Sequence, residues 1–384
     1  MYSEFTRRLH SRKSNGLYRD RLTLEGSQGI NVSIAGQDYL SFCSNDYLGL
    51  ANHPELIEAA CEGAQQYGVG AGASHLIIGH HTSHHKLEEM LANFTGFPRA
   101  LLFSSGYMAN TGVVSALVGR GDEIYSDKLN HASLNDAAML SHAKWIRYPH
   151  LDLSILENRL SVSQAKCKLV ITDAVFSMDG DIAPVAELLA LCEKYNAWLL
   201  LDDAHGFGVV GKEGRGIVSH YGLSSPRIIY MATLGKAAGV SGAFIAGQEV
   251  VIETLIQYAR SYIYTTAMPP LLSYALLKSL ELIKRDGWRR RKITQLAEHL
   301  KKDLKLLRWN LLPSDTPIQP VIIGENREVI QVRDALQDKG ILVSAIRPPT
   351  VPKSSARLRI SLSAAHSIKD VERLATALRE LERS

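Results

Sequence analysis

The sequence predicts an α/β fold: a large domain with a seven-stranded, mostly parallel sheet between helices, and a smaller α+β domain after it. Three observations predict this. Seven short runs rich in β-branched or aromatic residues alternate with helical patterns through the middle of the chain, the mark of βαβ units. Several of these runs are apolar on both faces, as strands covered by helices on each side should be. After "YTTAMPP" the pattern changes to long helices and then to mixed elements.

The elements follow in order. "MYSEFTRRLHSRKSNG" reads as an amphipathic first helix, and residues 1–44 as that helix and an extended segment. The large domain is expected over 45–275. Its strand candidates are "ALLFSS" from Ala100, "DEIYSD" from Asp122, "KWIRYP" from Lys144, "CKLVITDAV" from Cys167, "AWLLLDDAH" from Ala197, "RIIYMAT" from Arg227 and "GAFIAG" from Gly242. Apolar residues at helical spacing separate most of them, as in "APVAELLALCEKYNA". The Gly-rich link between the last two is too short for a helical crossover, so that pair is expected to be antiparallel. The small domain is expected over 276–384. It reads as long helices from Leu271 to Trp309, a strand at "IQPVIIG", a helix at "NREVIQVRDALQDKG", extended "ILVSAIRPPTVP" and "ARLRISLSAAH", and a last helix from about Ile368. The basic residues Arg289 to Lys292, with Lys301 and Lys302, read as a solvated helix face.

Composition bounds the function. A chain of 384 residues, 46% hydrophobic and 21% charged, is an ordinary globular protein of more than one domain. A net charge of +4 is too slight to argue for nucleic acid. No apolar run approaches the roughly 18 residues that span a bilayer. The first residues lack an apolar signal core, so secretion is not expected. Cys43, Cys61, Cys167 and Cys192 form no CxxC pair and fit reduced thiols in a cytoplasm.

The chemistry centres on "MATLGKAAGVSGAF", which holds one charged side chain, Lys236, among small residues. Burial lowers a lysine pKa, and a neutral amine is a nucleophile. On this stretch alone, a surface lysine in a Gly-rich loop explains it equally well. "LLLDDAHGFGVVG" puts Asp202 and Asp203 at a strand end, with His205 close behind. Ligands of open α/β sheets sit beyond such ends, although a strand-end Asp also caps turns. "DAVFSMDGDIAPV" puts Ser177 and Asp179 in the turn after another strand. Gly106 and Tyr107 of "SSGYMANTG" could open a helix whose free N–H groups bind phosphate. His131 of "DKLNHASLNDA" stands at a helix start, where it could stack, titrate or serve structure alone.

Two patterns are decoys. "GVGAGA" from Gly68 has dinucleotide spacing but follows a helix-like segment, and Ala237 and Tyr230 break the phosphate-loop pattern around Lys236. In "GHHTSHHKLEE", His80 and His84, or His81 and His85, are four apart. No acidic or Cys ligand stands in a recognised spacing with them, so no metal is expected.

Read together, Asp202, His205 and Lys236 follow two strands, and Ser177, His131 and the Gly106 turn follow three others. Converging on one sheet edge, they supply what pyridoxal phosphate needs: a lysine to bind its aldehyde, an acid for its ring nitrogen, a stacking ring and a phosphate cup.

With those residues goes a family resemblance. "FCSNDYLGL", "FSSGYMAN", "NHASL", "TDAVFSMDGDIAP", "LLLDDAHGFGVVGKEGRG", "TLGKAAGVSGA" and "YTTAMPP" are similar to the stretches of the α-oxoamine synthases, a branch of the fold-type I pyridoxal-phosphate transferases. The resemblance covers almost the whole chain. "AIRPPTVPKSSARLRISLSAAH", above all Arg347 to Pro352, looks most like the branch's biotin-pathway member. It implies condensation of L-alanine with a pimeloyl thioester, on coenzyme A or acyl carrier protein, releasing carbon dioxide and the thiol. It also implies that Lys236, His131, Asp202 and His205 are catalytic and that Arg359 binds the amino-acid carboxylate. Arg19, Arg347 and Thr350 would contact substrate, with Asn45 and Ser74 near the reacting centre. Thr233 would support the cofactor phosphate, with Thr265 reaching it from the partner of a homodimer. Glycine-using synthases on the same scaffold, 5-aminolevulinate synthase and 2-amino-3-ketobutyrate CoA ligase, are the enzyme alternative, and a non-catalytic cofactor-binding homologue is the other. Two departures stand out: Tyr107 replaces an expected Phe, and "ASHLIIGHHTSHH" replaces a Gly-rich stretch on the thioester side.

Overall fold

All seven strand candidates pair into one sheet in this computed structural model, which describes residues 1–383. Numbered within that sheet, they are β1 (Arg99–Phe103), β2 (Glu123–Asp127), β3 (Lys144–Tyr148), β4 (Lys168–Asp173), β5 (Trp198–Asp202), β6 (Ile228–Thr233) and β7 (Ala243–Gly247). The order is β1-β7-β6-β5-β4-β2-β3. β7 runs antiparallel to both its neighbours, and every other pair is parallel. The link from β6 to β7 is therefore a tight antiparallel return, as its length requires.

The central strands are buried along their length: Leu199, Leu200 and Leu201 of β5 and Ile229 and Tyr230 of β6 expose nothing. Strands covered on both faces need apolar residues at consecutive positions, which is why these runs do not alternate. Gly216 makes room where Asp203 leaves β5. Its φ is +94°, and a Cβ there would run into Tyr230 Oη and Asp203 Oδ2.

Two compact units form. The larger holds residues 48–177 and 181–290, and the smaller holds 1–47, 178–180 and 291–384. Helix Pro270–Arg285 packs on helices Pro54–Tyr67 and Thr82–Thr95. That packing keeps it in the larger unit, and the second unit resumes at Arg291 rather than at the expected residue 276. Arg289 differs from expectation too. It is buried, donating from Nε to Asp286 Oδ2 (3.2 Å) and from Nη1 to the Leu48 carbonyl (2.9 Å). The basic run is a solvated face only beyond it.

The smaller unit has an antiparallel sheet of Asn310–Leu311, Ile318–Gly324, Ala356–Ser361 and Ser344–Ile346 in that order. Helices Asn326–Asp338 and Ile368–Arg383 cover it through Val329, Leu336, Val371, Leu374 and Leu378. Strands Asn31–Ile34, Gln37–Ser41 and Ile341–Leu342 form a second small sheet. The first helix, Tyr2–Ser14, forms as expected but buries no side chain. The Gly68 decoy follows helix Pro54–Tyr67 and no strand. All four cysteines are free thiols, and no described helix is long and apolar enough to cross a membrane.

One ion-pair bridge holds the sheet edge near the β4 turn. His150 Nδ1 lies 3.0 Å from Asp127 Oδ1, at the end of β2, and its Nε2 lies 2.8 Å from Asp181 Oδ2. Burial pushes the imidazole pKa down, but hydrogen bonds and charge from both carboxylates outweigh it and raise the value to about 10. The raised pKa stabilises the fold fully below the unfolded value near 6.5, and the gain is lost as pH rises through about 10. His150→Gln is therefore expected to cost about 2–4 kcal/mol at pH 6. In urea titrations, the gap to the parent chain should shrink steadily between pH 7 and pH 10.5.

Candidate active site

The C-terminal ends of five strands open on one cavity of about 200 Å³ in the larger unit. β1 delivers Gly106 and Tyr107, and β2 delivers His131 and Ser133. β4 contributes Asp173 and Ser177, β5 contributes Asp202, Ala204 and His205, and β6 contributes Met231, Thr233 and Lys236. Parallel strands in register end at one edge: Asp173 of β4 pairs with Asp202 of β5, and Asp202 pairs with Met231 of β6. That alignment brings side chains up to 130 residues apart into one space.

Each group is held locally. Lys236 Nζ lies 2.8 Å from His205 Nε2. Asp202 is buried, with Oδ1 accepting from the Ala204 N–H (3.1 Å) and Oδ2 from Asn110 Nδ2 (2.7 Å). Asn110 Nδ2 also donates to Ser133 Oγ (2.9 Å). Ser133 Oγ is 2.8 Å from His131 Nδ1, which also accepts the Ser133 N–H (3.2 Å). With Nδ1 an acceptor, the neutral ring carries its proton on Nε2. Burial lowers the His131 pKa, opposed by the Asp202 charge and aided by Lys236, so the ring stays neutral. Tyr107 caps its own end of the cavity through a hydrogen bond to Asp136. Helix Gly106–Leu117 starts with Ser105 Oγ accepting from the Met108 N–H (3.2 Å), and a helix N-terminus of this kind suits an anion.

Asp202 and Asp203, adjacent in sequence, separate completely. Asp203 is fully buried; Oδ2 accepts from the Ile217 N–H (2.8 Å) and Tyr230 Oη (2.7 Å), and burial raises its pKa to about 7. It ties strands together while Asp202 faces the cavity.

Not every expected residue lies here. Thr265, half-buried just past the short helix Arg260–Ile263, and Ser74, which precedes the turn His75–Gly79, are outside the cavity's lining. The others belong to the smaller unit. There Arg359 is buried, donating from Nη1 to Asn45 Oδ1 (3.1 Å) and Ser361 Oγ (2.8 Å), and from Nη2 to Tyr47 Oη (3.3 Å). Asp179 accepts from buried Arg357 (2.5 Å). Arg19, Arg347 and Thr350 line a cavity of about 570 Å³ with Arg12 and Arg333, and Asp20 is the only carboxylate on its wall. Burial lowers the Arg347 pKa, and the charges of Arg333 and Arg19 lower it further, a crowding that an anion relieves.

The donor set of the cavity at Lys236 fits pyridoxal phosphate: an amine, a buried carboxylate at a strand end, a neutral ring and a helix N-terminus. A family model described as aminotransferase class I and II matches residues 37–378. The 8-amino-7-oxononanoate synthase of Nitrosospira multiformis is 68% identical over 375 residues, 98% of this chain and 95% of the relative. The chain belongs to the 8-amino-7-oxononanoate synthase family. The Pseudomonas aeruginosa synthase is 53% identical across 99% of this chain and 95% of its own. Among solved structures, the Francisella tularensis synthase matches with a TM-score of 0.77 at 33% identity, covering 90% of this chain and 97% of that one. Serine palmitoyltransferase from S. paucimobilis, with PLP and myriocin bound, matches with a TM-score of 0.93 at 27% identity, covering 100% and 97%. The fold is thus that of the fold-type I pyridoxal-phosphate transferases, and pyridoxal phosphate is the family's cofactor.

Sequence reasoning missed three residues of this candidate site. Asp173 ends its strand as Asp202 does, a signal that was there to be read. Asn110 and Ser133 gave none, being ordinary polar residues on helices. Asn110→Leu keeps the branched outline and removes the donor to Asp202. A hydrogen bond to a charged group contributes about 1.5–3 kcal/mol, so turnover should fall roughly 10- to 100-fold. The absorption of the bound cofactor should change with it, and Asn110→Gln should recover part of both.

Proposed function

We propose that this chain condenses L-alanine with a pimeloyl thioester, carried on coenzyme A or acyl carrier protein, to 8-amino-7-oxononanoate, carbon dioxide and free thiol in biotin biosynthesis. The observation that carries this reading is the meeting of Lys236, His205, Asp202 and His131 in one cavity of a chain so close to the synthases. When bound, pyridoxal phosphate supplies a cationic heterocycle that accepts the electron pair released at the amino acid's Cα.

The chain's residues do the rest. Lys236 would bind the cofactor's aldehyde carbon, and its Nζ would move the α-proton of the substrate. His205, 2.8 Å away, orients that amine and would hydrogen-bond the ring hydroxyl. Asp202 would keep the ring nitrogen protonated, and Asn110 and the Ala204 amide aim its carboxylate. His131 would stack on the ring and leave its Nε2–H to the substrate. The first amides at Gly106 and Tyr107, with Ser177 and Thr233, would hold the phosphate. Arg359, set by Asn45 and Tyr47, binds the alanine carboxylate. The guanidinium-lined cavity with Arg19, Arg347 and Thr350 takes the anionic acyl donor. Ser74, and Thr265 from the partner subunit of a homodimer, complete the site by analogy with the family. Four free thiols fit a cytoplasmic site of action.

Alanine and glycine, each offered with pimeloyl, succinyl and acetyl thioesters, test the reading. Alanine with pimeloyl thioester should be turned over fastest, and a preference for glycine rejects the assignment. Lys236→Ala should abolish turnover and leave no cofactor fixed to the chain by borohydride. Asp202→Asn should slow turnover at least about 100-fold, since the ring nitrogen loses its charged partner. Arg347→Ala should raise KM for the acyl donor about tenfold or more while leaving KM for alanine nearly unchanged.

A further inference from the structure

None of the residues lining the cavity at Lys236 comes from the histidine-rich stretch that opens helix Thr82–Thr95. We propose that it forms a site for a zinc-class divalent cation, with His80, His85 and Glu88 as ligands and His75 orienting His80. His85 and Glu88 are three apart on the helix and share a face. His80 comes from the turn before it. One ligand atom from each of the three lies within 4.8 Å of the other two.

The gap between His80 and Glu88 is the telling feature. His80 Nε2 lies 3.9 Å from Glu88 Oε2. That is too long for a hydrogen bond. A water donating to both atoms spans roughly 4.5 Å and fits the gap only if the side chains part by about half an ångström. Two bonds of about 2 Å to one cation bridge it once the side chains close by about half an ångström. Glu88 is already aimed: Oε1 accepts the Leu102 N–H of β1 (2.9 Å), which leaves Oε2 to the gap.

The imidazoles sort themselves by their hydrogen bonds. His84 Nδ1 accepts the His81 N–H (3.0 Å) and Nε2 faces the Met268 carbonyl (2.7 Å), so both nitrogens are engaged and His84 is no ligand. His80 Nδ1 lies 2.9 Å from Nδ1 of buried His75, whose ring stacks on Tyr262. When His80 donates that hydrogen, its Nε2 lone pair points at Glu88. Metal-bound histidines are held in this way through their other ring N–H. His85 is exposed and leaves the outer positions to water. Two imidazoles and one carboxylate select zinc, cobalt or nickel over magnesium or calcium.

Equilibrium dialysis of the metal-stripped holoenzyme against zinc chloride, with metal counted by atomic emission, tests the site. One zinc per chain is expected at micromolar concentration. His80→Gln and His85→Gln should each weaken binding tenfold or more, and His75→Gln about tenfold with the stoichiometry kept. His299→Gln, in the separate His299, Asp303 and Glu372 group, should change nothing. His85 is exposed, so its variant folds and decides the matter even where a buried variant does not. Absence of stoichiometric zinc, undiminished binding by His85→Gln, or loss in His299→Gln overturns the proposal.

Discussion

The in-register ending of parallel strands is the constraint on which the site depends. Four hydrogen-bonded pairs of the central sheet run parallel, so their C-terminal residues arrive at one edge together. Parallel connections need helical crossovers, which is why about 130 residues separate Gly106 from Lys236 in the chain while both line one cavity of about 200 Å³. Every functional group in that cavity is at a strand end or within a few residues of one. A one-residue slip between β4 and β5 would turn Asp173 and Asp202 onto the wrong faces.

Around that edge the protein manages a dense set of charges. Asp173, Asp202 and Asp203 lie on neighbouring strand ends, all buried. Burial, then the Asp202 charge, pushes the Asp173 carboxyl far up, although it accepts the His131 N–H (3.0 Å). Asp203 is absorbed by Tyr230 and the Ile217 amide. Asp202 is aimed into the cavity by an amide side chain and a backbone N–H, and the same Asn110 reaches through Ser133 to His131. The acid that would face the cofactor nitrogen and the ring that would stack on it are therefore set by one hydrogen-bonded chain. The smaller unit treats positive charge likewise, holding Arg359 among neutral oxygens while four guanidinium groups line the cavity at Arg347.

Much of this was legible beforehand. All seven strands, the antiparallel return into β7 and the main C-terminal elements of the smaller unit follow from apolar periodicity, Gly-rich links and helix spacing, because those are local properties; the short strands Asn31–Ile34, Gln37–Ser41 and Asn310–Leu311 were not legible in that way. Lys236, Asp202, His205, His131, Ser177 and the Gly106 turn share one signal: polar or glycine residues just after an apolar run. That signal works because strand ends are where an α/β sheet stops needing apolar side chains.

What the order of residues could not decide was who meets whom. Asn110 and Ser133 looked like helix surface, and Arg289 like solvated charge, because a side chain's partner lies on another element. Nor could spacing tell Asp202 from Asp203, neighbours that the pleat sends to opposite faces, or His84, engaged at both nitrogens, from His80, one of whose nitrogens faces a carboxylate. Periodicity and punctuation are written along the chain and so are readable one segment at a time. Burial, hydrogen-bond partners and shifted proton affinities arise between segments and exist only once the strands are in register.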